Sequence, residues 1–350
     1  MTPRGRAFLP EMIDHPLTPP PAGAPPRPTV PAAPPRWVLI AAAVAINVIW
    51  ALSYPVSKLV LTDLPVGALS CWRVVGAAIL LAPLLRRRDF PARWSLKDAV
   101  SLALMGTLGF ALPIWLQYAG TVRTTASNVS MIVGLETVMV VVLAALFLRE
   151  PLRRRTWGGL AAAVGGVAFI SVDPATLDLF SGTYAAGNGL MLLSIAGFAS
   201  YTILGKALIE RWSGTALTVF PLAVAGALML PLFYLTDPAG FQRGLAMTAS
   251  EFWGVFFITA IATAASYAIW NWILRWVSAG TLAYSLYIQP VAGALFSAWL
   301  LKETLTPTYW WGAGLIMLAM ALGAETGKPR PEVAPEDEAE PKAVEPAVAA

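Results

Sequence analysis

Residues 125–152 read TASNVSMIVGLETVMVVVLAALFLREPL, and residues 278–305 read SAGTLAYSLYIQPVAGALFSAWLLKETL. The second run is the first displaced by 153 positions, without a gap. Ala126 meets Ala279, Ala145 meets Ala298, Leu148 meets Leu301, Glu150 meets Glu303 and Leu152 meets Leu305, and the register continues to Trp157 on Trp310 and Gly159 on Gly312. Apolar coincidences are common, so the Glu, Trp and Gly matches carry the weight. Each run contains an apolar stretch of about 20 residues, the length a helix needs to cross the hydrocarbon core at its 1.5 Å rise. Lipid offers no partner to an exposed peptide group, so only helices or closed barrels cross it, and alternating short strands of the barrel type are absent from the sequence.

Outward from these two runs, apolar segments fall at 37–61, 66–85, 96–118, 125–148, 157–172, 187–209, 215–235, 252–276, 280–301 and 308–324. The gaps carry breaker clusters such as Asp63-Leu64-Pro65, Arg88-Asp89-Phe90-Pro91, Asp173-Pro174 and Asp237-Pro238-Ala239-Gly240. An offset of 148 sets Trp50 on Phe198 and Lys58 on Lys206, so the first helix answers the sixth. The expected fold is an all-α polytopic membrane protein of about ten transmembrane helices in two five-helix repeats. An odd number of spans per repeat forces the two into opposite orientations, the inverted-topology arrangement of many secondary transporters. The expected organisation is a disordered tail over 1–36, a first repeat over 37–173, a second over 182–324 and a second disordered tail over 325–350, the tails being rich in Pro, Ala and charge. The fifth helix is short and rich in Gly and Ala, which suits close packing against a neighbour.

Composition agrees with spans and narrows the function. The chain is 57% hydrophobic and 13% charged, with a mean hydropathy of +0.65, far from the values of a soluble domain. Its one cysteine, Cys71, lies in an apolar run and its one histidine, His15, in the proline-rich tail. Disulfide frameworks, zinc sites and histidine acid/base chemistry therefore lack their parts. No glycine-rich phosphate loop with its lysine occurs, so ATP bound to this chain is not the expected energy source. No cofactor is expected, and the chain is not read as an enzyme. The formal charge of +4 comes from cations at helix ends, where orientation explains them better than nucleic acid does. With both termini inside, Arg86, Arg87, Arg88, Arg93, Lys97, Arg149, Arg153, Arg154, Arg155, Lys206, Arg211 and Arg275 fall on the cytoplasmic side, and Lys58, Arg123, Arg243 and Lys302 on the outer side. A multi-pass protein of the inner membrane with both tails cytoplasmic satisfies that bias.

The chain resembles the drug/metabolite transporter superfamily, and within it the EamA-domain permeases. The resemblance is carried by WALSYPVSK at 50–58, LSCWR at 69–73, QYA at 117–119, TAS at 125–127, FLREPL at 147–152 and WGG at 157–159. In the second half it is carried by ASYTILGK at 199–206, YAIWN at 267–271, VSA at 277–279, Gln289-Pro290 and LKETL at 301–305. It implies ten helices and an inner-membrane exporter or exchanger of small polar or amphipathic metabolites, amino acids foremost. The family often carries a proline in mid-fourth helix; here that position is Thr137, while its mate in the ninth helix is Pro290.

Among the residues that can carry chemistry, Glu136 stands out. It sits near the middle of the fourth helix, with about eleven residues on either side. A carboxyl there costs about 2.5–3.5 kcal/mol on insertion scales, and such groups face cavities, relay protons or bind substrate. The two candidate roles are proton coupling and binding of a substrate ammonium, set against a hydrogen-bonded structural Glu. Its repeat mate is Gln289, polar without charge. Thr125 shares its face, and Gln289, Ser285 and Ser278 form a matching stripe on the ninth helix, so the two stripes either line a route or cement helix contacts. Arg73, early in the second helix, meets either a substrate carboxylate or Asp63. Lys58, near the outer end of the first helix, either snorkels or reaches substrate. Trp50, Tyr54, Gln117, Tyr118, Tyr201, Trp270, Asn271 and Tyr287 complete the candidate lining, the aromatic faces being available to cations and equally suited to packing.

The resulting expectation is a secondary transporter of small metabolites, an exporter or exchanger working by alternating access, with Glu136 as the candidate group for proton coupling or for binding a substrate ammonium. The alternatives are a flippase for lipid or a lipid precursor, and a non-transporting membrane partner. The expected partners are a small-molecule substrate and the surrounding lipid, with no nucleic acid; the oligomeric state is left open.

Overall fold

The structure is a computed structural model and describes residues 34–91, 94–124, 126–150, 154–171, 185–302 and 307–324. Both expected tails, apart from residues 34–36, lie outside these, as do Arg93, Thr125, Arg153 and Glu303. The described residues are helical and contain no strand. Ten segments follow one another: α1 (Arg36–Val60), α2 (Val66–Leu84), α3 (Leu96–Thr121), α4 (Ala126–Phe147), α5 (Arg154–Ser171), α6 (Ala185–Leu208), α7 (Ala216–Thr236), α8 (Ala249–Leu274), α9 (279–301) and α10 (Pro307–Ala324). Six of them, α1, α2, α3, α6, α7 and α8, are long and apolar enough over described residues to cross a membrane. A short helix absent from the sequence reading covers Pro238–Leu245. Asp237-Pro238 is a breaker for α7, but it is equally an N-cap followed by proline in the first turn, and the Asp237 side chain accepts from Gly240 N at 2.9 Å.

Repeat symmetry reaches the helix ends. Ser95 and Asp98 form a capping box at the start of α3, and Thr248 and Glu251, each 153 positions on, form one at the start of α8. Each acid is also paired with an arginine, Asp98 with Arg211 at 2.9 Å and Glu251 with Arg243. At the far ends of α4 and α9, Arg149 (φ 54°) and Lys302 (φ 59°) occupy the left-handed region. These are again positions 153 apart, and they end their helices in the same way.

The first five helices and the last five interleave. α1 packs on α8 and α9, just as α6 packs on α3 and α4, and α2 and α3 lie along α7. Close approach requires small residues. A Cβ on Gly197 of α6 would come within 2.2 Å of the Pro113 ring and 2.6 Å of the Leu108 carbonyl on α3. The glycine-rich α5 packs on α10, where a Cβ on Gly166 would sit 2.7 Å from the Gly312 carbonyl.

Three spans depart from regular α-helix near the centre of the bundle: π-helical turns cover Trp72–Gly76, Thr107–Ala111 and Phe257–Ala265, a feature that clusters at functional sites. α9 instead narrows to a 3-10 turn at Tyr284–Tyr287, just ahead of Pro290, whose ring cannot accommodate a regular helix over the preceding turn. α4 has Thr137 at the equivalent position and runs unbroken. The Thr137 hydroxyl donates to the Ala283 carbonyl at 3.2 Å, so the straight helix satisfies a backbone group of the broken one.

Candidate functional site

Seven helices meet at a central cavity with about 430 Å³ of empty space, of which about 30 Å³ admits the centre of a water molecule. α1 contributes Trp50, Ser53 and Tyr54, α2 Arg73, α3 Gln117, α4 Glu136, α6 Phe198, Tyr201 and Thr202, α8 Tyr267 and Trp270, and α9 Leu286 and Gln289. One wall is a continuous aromatic cluster. Trp50 lies 5.2 Å from Tyr267 and 5.4 Å from Trp270, and Tyr267 lies 5.4 Å from Tyr201. The Trp50 indole is fixed by its N–H, which donates to the Ala262 carbonyl at 2.7 Å within the π-helical part of α8.

Arg73 is the cation of the site, with 6% of its surface exposed. A guanidinium stays charged wherever it is placed, and burying it without donors satisfied costs several kcal/mol. Its Nε donates to Thr263 Oγ1 at 2.9 Å, and Nη1 donates to Gln117 Oε1 at 2.8 Å and to Tyr118 Oη at 3.2 Å. Its carbon also lies 5.6 Å from the centroid of the Tyr118 ring, a cation–π contact. All of these partners are neutral. Asp63, the intramolecular candidate, sits in the exposed turn after α1 and accepts from Thr62. Arg73 and Thr263 both lie in π-helical turns, which bring the fork and its acceptor into register.

Glu136 and Gln289 hold equivalent positions on α4 and α9, and both line the cavity. Gln289 is satisfied within the protein: its carbonyl oxygen accepts from Tyr54 Oη at 2.6 Å and its amide donates to Asn47 Oδ1 at 2.8 Å. Asn47 in turn donates to Ser285 Oγ at 2.9 Å, so a polar chain runs from Tyr54 through the α1–α9 contact. Glu136, 9% exposed, makes no hydrogen bond or ion pair with a described residue. The cavity thus offers a guanidinium held by neutral groups and a carboxyl with its oxygens uncommitted.

Of the residues named from sequence, Trp50, Tyr54, Arg73, Gln117, Glu136, Tyr201, Trp270 and Gln289 are brought together around this cavity, and Tyr118 joins them through Arg73. Asn271 lies off it, donating to Tyr201 Oη at 2.6 Å and Thr218 Oγ1 at 2.9 Å. Ser285 belongs to the α1–α9 contact and Ser278 caps the start of α9. Tyr287 is fully buried away from the cavity, and Lys58 is half-buried at the end of α1. Thr125 lies outside the described residues. Sequence reasoning missed Ser53, Thr202, Tyr267 and Thr263. Thr202 was within reach, because the 148 offset places it on Tyr54; Thr263 was not, because its alignment with Arg73 depends on two π-helical turns.

Comparison with known proteins agrees with this architecture. The model of the EamA-like transporter family matches residues 36–172 and again 185–323. An uncharacterized transporter of Archaeoglobus fulgidus is 23% identical over 280 residues, covering 80% of this chain and 94% of its own. A probable terminal-alkyne amino-acid exporter of Streptantibioticus cattleyicolor is 26% identical over 272 residues, covering 75% of this chain and 84% of its own. A solved crystal structure superposes with a TM-score of 0.62 at 16% identity, over 80% of this chain and 97% of that one, which speaks to the fold.

Proposed function

The chain belongs to the EamA-like transporter family, and from that premise we propose that it carries small zwitterionic metabolites, amino acids foremost, across the inner membrane by alternating access, as an exporter or exchanger coupled to protons at Glu136. The observation that carries this reading is the charge arrangement of the cavity. Arg73 is held by neutral partners and is matched geometrically to a carboxylate. The uncommitted Glu136 carboxyl suits an ammonium or a proton, and the Trp50, Tyr267 and Trp270 faces suit an apolar side chain. The name of the Streptantibioticus relative points to the same class of cargo.

Glu136 does both jobs in one site if substrate and proton compete for it. An amino group that docks against the carboxylate displaces the proton, and protonation from the other side releases the amino group. The 30 Å³ open to water centres suits about two waters, so an amino acid enters only when helices part. This is the contracted form of the site, and a transport cycle supplies the expanded ones.

The flippase reading has one observation in its favour, an apolar recess between α2 and α7 that holds about 430 Å³ of empty space, as much as the central cavity, and is lined by Cys71, Trp72, Leu230, Phe233 and Phe241. Among the described residues it presents no charged group for a headgroup, which is why the charged cavity decides.

The deciding experiment is release from proteoliposomes preloaded with a mixture of amino acids, nucleobases, sugars and organic acids, read by mass spectrometry against empty vesicles. Selective loss of amino acids is expected. Selective loss of a class without an ammonium and carboxylate, or none at all from folded and inserted protein, sinks the proposal.

A further inference from the structure

Four hydrogen bonds converge on the turn between α8 and α9. Lys206, at the end of α6, donates from Nζ to the carbonyls of Leu274 and Val277, both at 2.7 Å. Glu150, just beyond α4, accepts from Ala279 N at 2.9 Å and from Gly280 N at 3.0 Å. The lysine serves the carbonyl of the last residue of α8 and one in the turn after it, and the carboxylate serves the first amides of α9, so each charge meets a helix end of opposite sign. These groups come from α6 and from the end of α4, helices that pack on each other, and together they tie residues 274–280 to that pair.

The repeat generates a second such place. The offset of 148 carries Lys58 to Lys206, and the offset of 153 carries Thr121 to Leu274 and Thr124 to Val277. α1 and α6 run in opposite senses, so the second place lies on the opposite face of the bundle. There the lysine is not engaged: Lys58 is half-buried and makes no hydrogen bond to a described residue, while Thr124 of that turn donates to Asn188 of α6 at 2.5 Å and Glu303, the repeat mate of Glu150, lies outside the described residues.

We propose that Lys206 and Glu150 form the latch that shuts the Glu150 face of the protein, and that Lys58 is its counterpart, engaging the carbonyls of Thr121 and Thr124 when the opposite face shuts. One latch is made while the other is broken, and the two faces are exclusive because the cavity lies between them. The proposal rests on the alternating-access reading of that cavity. It adds the groups that set which face is open. On the orientation expected from the distribution of positive charge, the Glu150 face is cytoplasmic.

The test uses the full chain carrying Cys71→Ala and Ser53→Cys, so that a single thiol reports on the cavity, in membrane vesicles of either orientation with an impermeant maleimide. Lys206→Met is expected to raise labelling from the Glu150 face about fivefold or more and to lower it from the Lys58 face, and Lys58→Met is expected to lower labelling from the Glu150 face. Gly280→Ala guards against a folding defect. Its Cβ would lie 2.9 Å from Glu150 Oε2 and touch nothing else, so it displaces the carboxylate with no backbone clash and is expected to shift labelling in the direction of Lys206→Met. The latch is overturned if Lys206→Met and Lys58→Met move the labelling the same way. It is equally overturned if Lys206→Met and Gly280→Ala, with wild-type thermal stability, leave both rates unchanged. Labelling needs no substrate, so vesicles that release no solute while the labelling shifts as expected would remove the transport reading and leave the latch standing.

Discussion

Arg73 and Glu136 are the only charged side chains on the cavity wall among the described residues, and they differ in how they are held. The guanidinium has its Nε and one Nη engaged by Thr263, Gln117 and Tyr118, a fork that an ammonium cannot reproduce. Arg73→Lys is therefore expected to lower the initial rate of amino-acid counterflow about tenfold or more, the loss of one charge-assisted hydrogen bond of about 1.5–3 kcal/mol being sufficient. An unchanged rate would place the carboxylate elsewhere. At Glu136 the expected result is qualitative. Glu136→Gln keeps the shape and removes both the titrating group and the charge that meets the ammonium, so substrate affinity falls and the exchange that remains loses its pH dependence; flux that follows pH as in the wild type would exclude Glu136 as the coupling group. Glu136 was legible in the sequence because a carboxyl in mid-span is costly enough to need a reason. The bonding of Arg73 was not, because sequence gives its depth in the membrane but not which of several neighbours the local helix geometry brings opposite it.

Helices were readable to within about three residues at the boundaries that have described residues on both sides, since an apolar run bounded by Pro, Gly and charge has few ways to fold in lipid. What escaped was variation inside the helices. The π-helical turns leave no mark on hydropathy, and the 3-10 turn in α9 was hinted at only by Pro290. Contact between helices is decided by single small residues, which gives a paired prediction on α6. Gly197→Ala forces a methyl within 2.2 Å of Pro113 and is expected to cost about 1–3 kcal/mol. Gly189→Ala, two turns earlier, meets nothing within 4 Å and is expected to be neutral or to stabilise by about 0.5–1 kcal/mol. Thermal unfolding in detergent separates them, and equal melting temperatures would show that α3 and α6 are not in close contact at Gly197.

In the whole molecule the two family matches, 36–172 and 185–323, are interleaved through α1 with α8 and α9 and through α6 with α3 and α4. Neither stretch closes the cavity alone. Residues 34–172 expressed without the rest are expected to give no monodisperse species by size-exclusion chromatography. Co-expressed with 185–324, they are expected to co-elute as a complex with the mobility of the whole chain; a stable, monodisperse first stretch would contradict the interleaving. The sequence by itself determined that the chain spans a membrane as helices, that its halves repeat at offsets near 150 residues, and that Glu136 requires an explanation, because hydropathy, repeat register and the cost of a buried carboxyl are properties of residues in order along the chain. Tertiary structure alone decided that, among the described residues, Gln289 finds hydrogen-bond partners while Glu136 does not, that Arg73 is held by a threonine 190 positions away, and that Lys206 is engaged while its repeat mate Lys58 finds no described partner. Those outcomes depend on which atoms of distant helices come within hydrogen-bonding distance, and a repeat that is nearly symmetric in sequence can be satisfied asymmetrically in space.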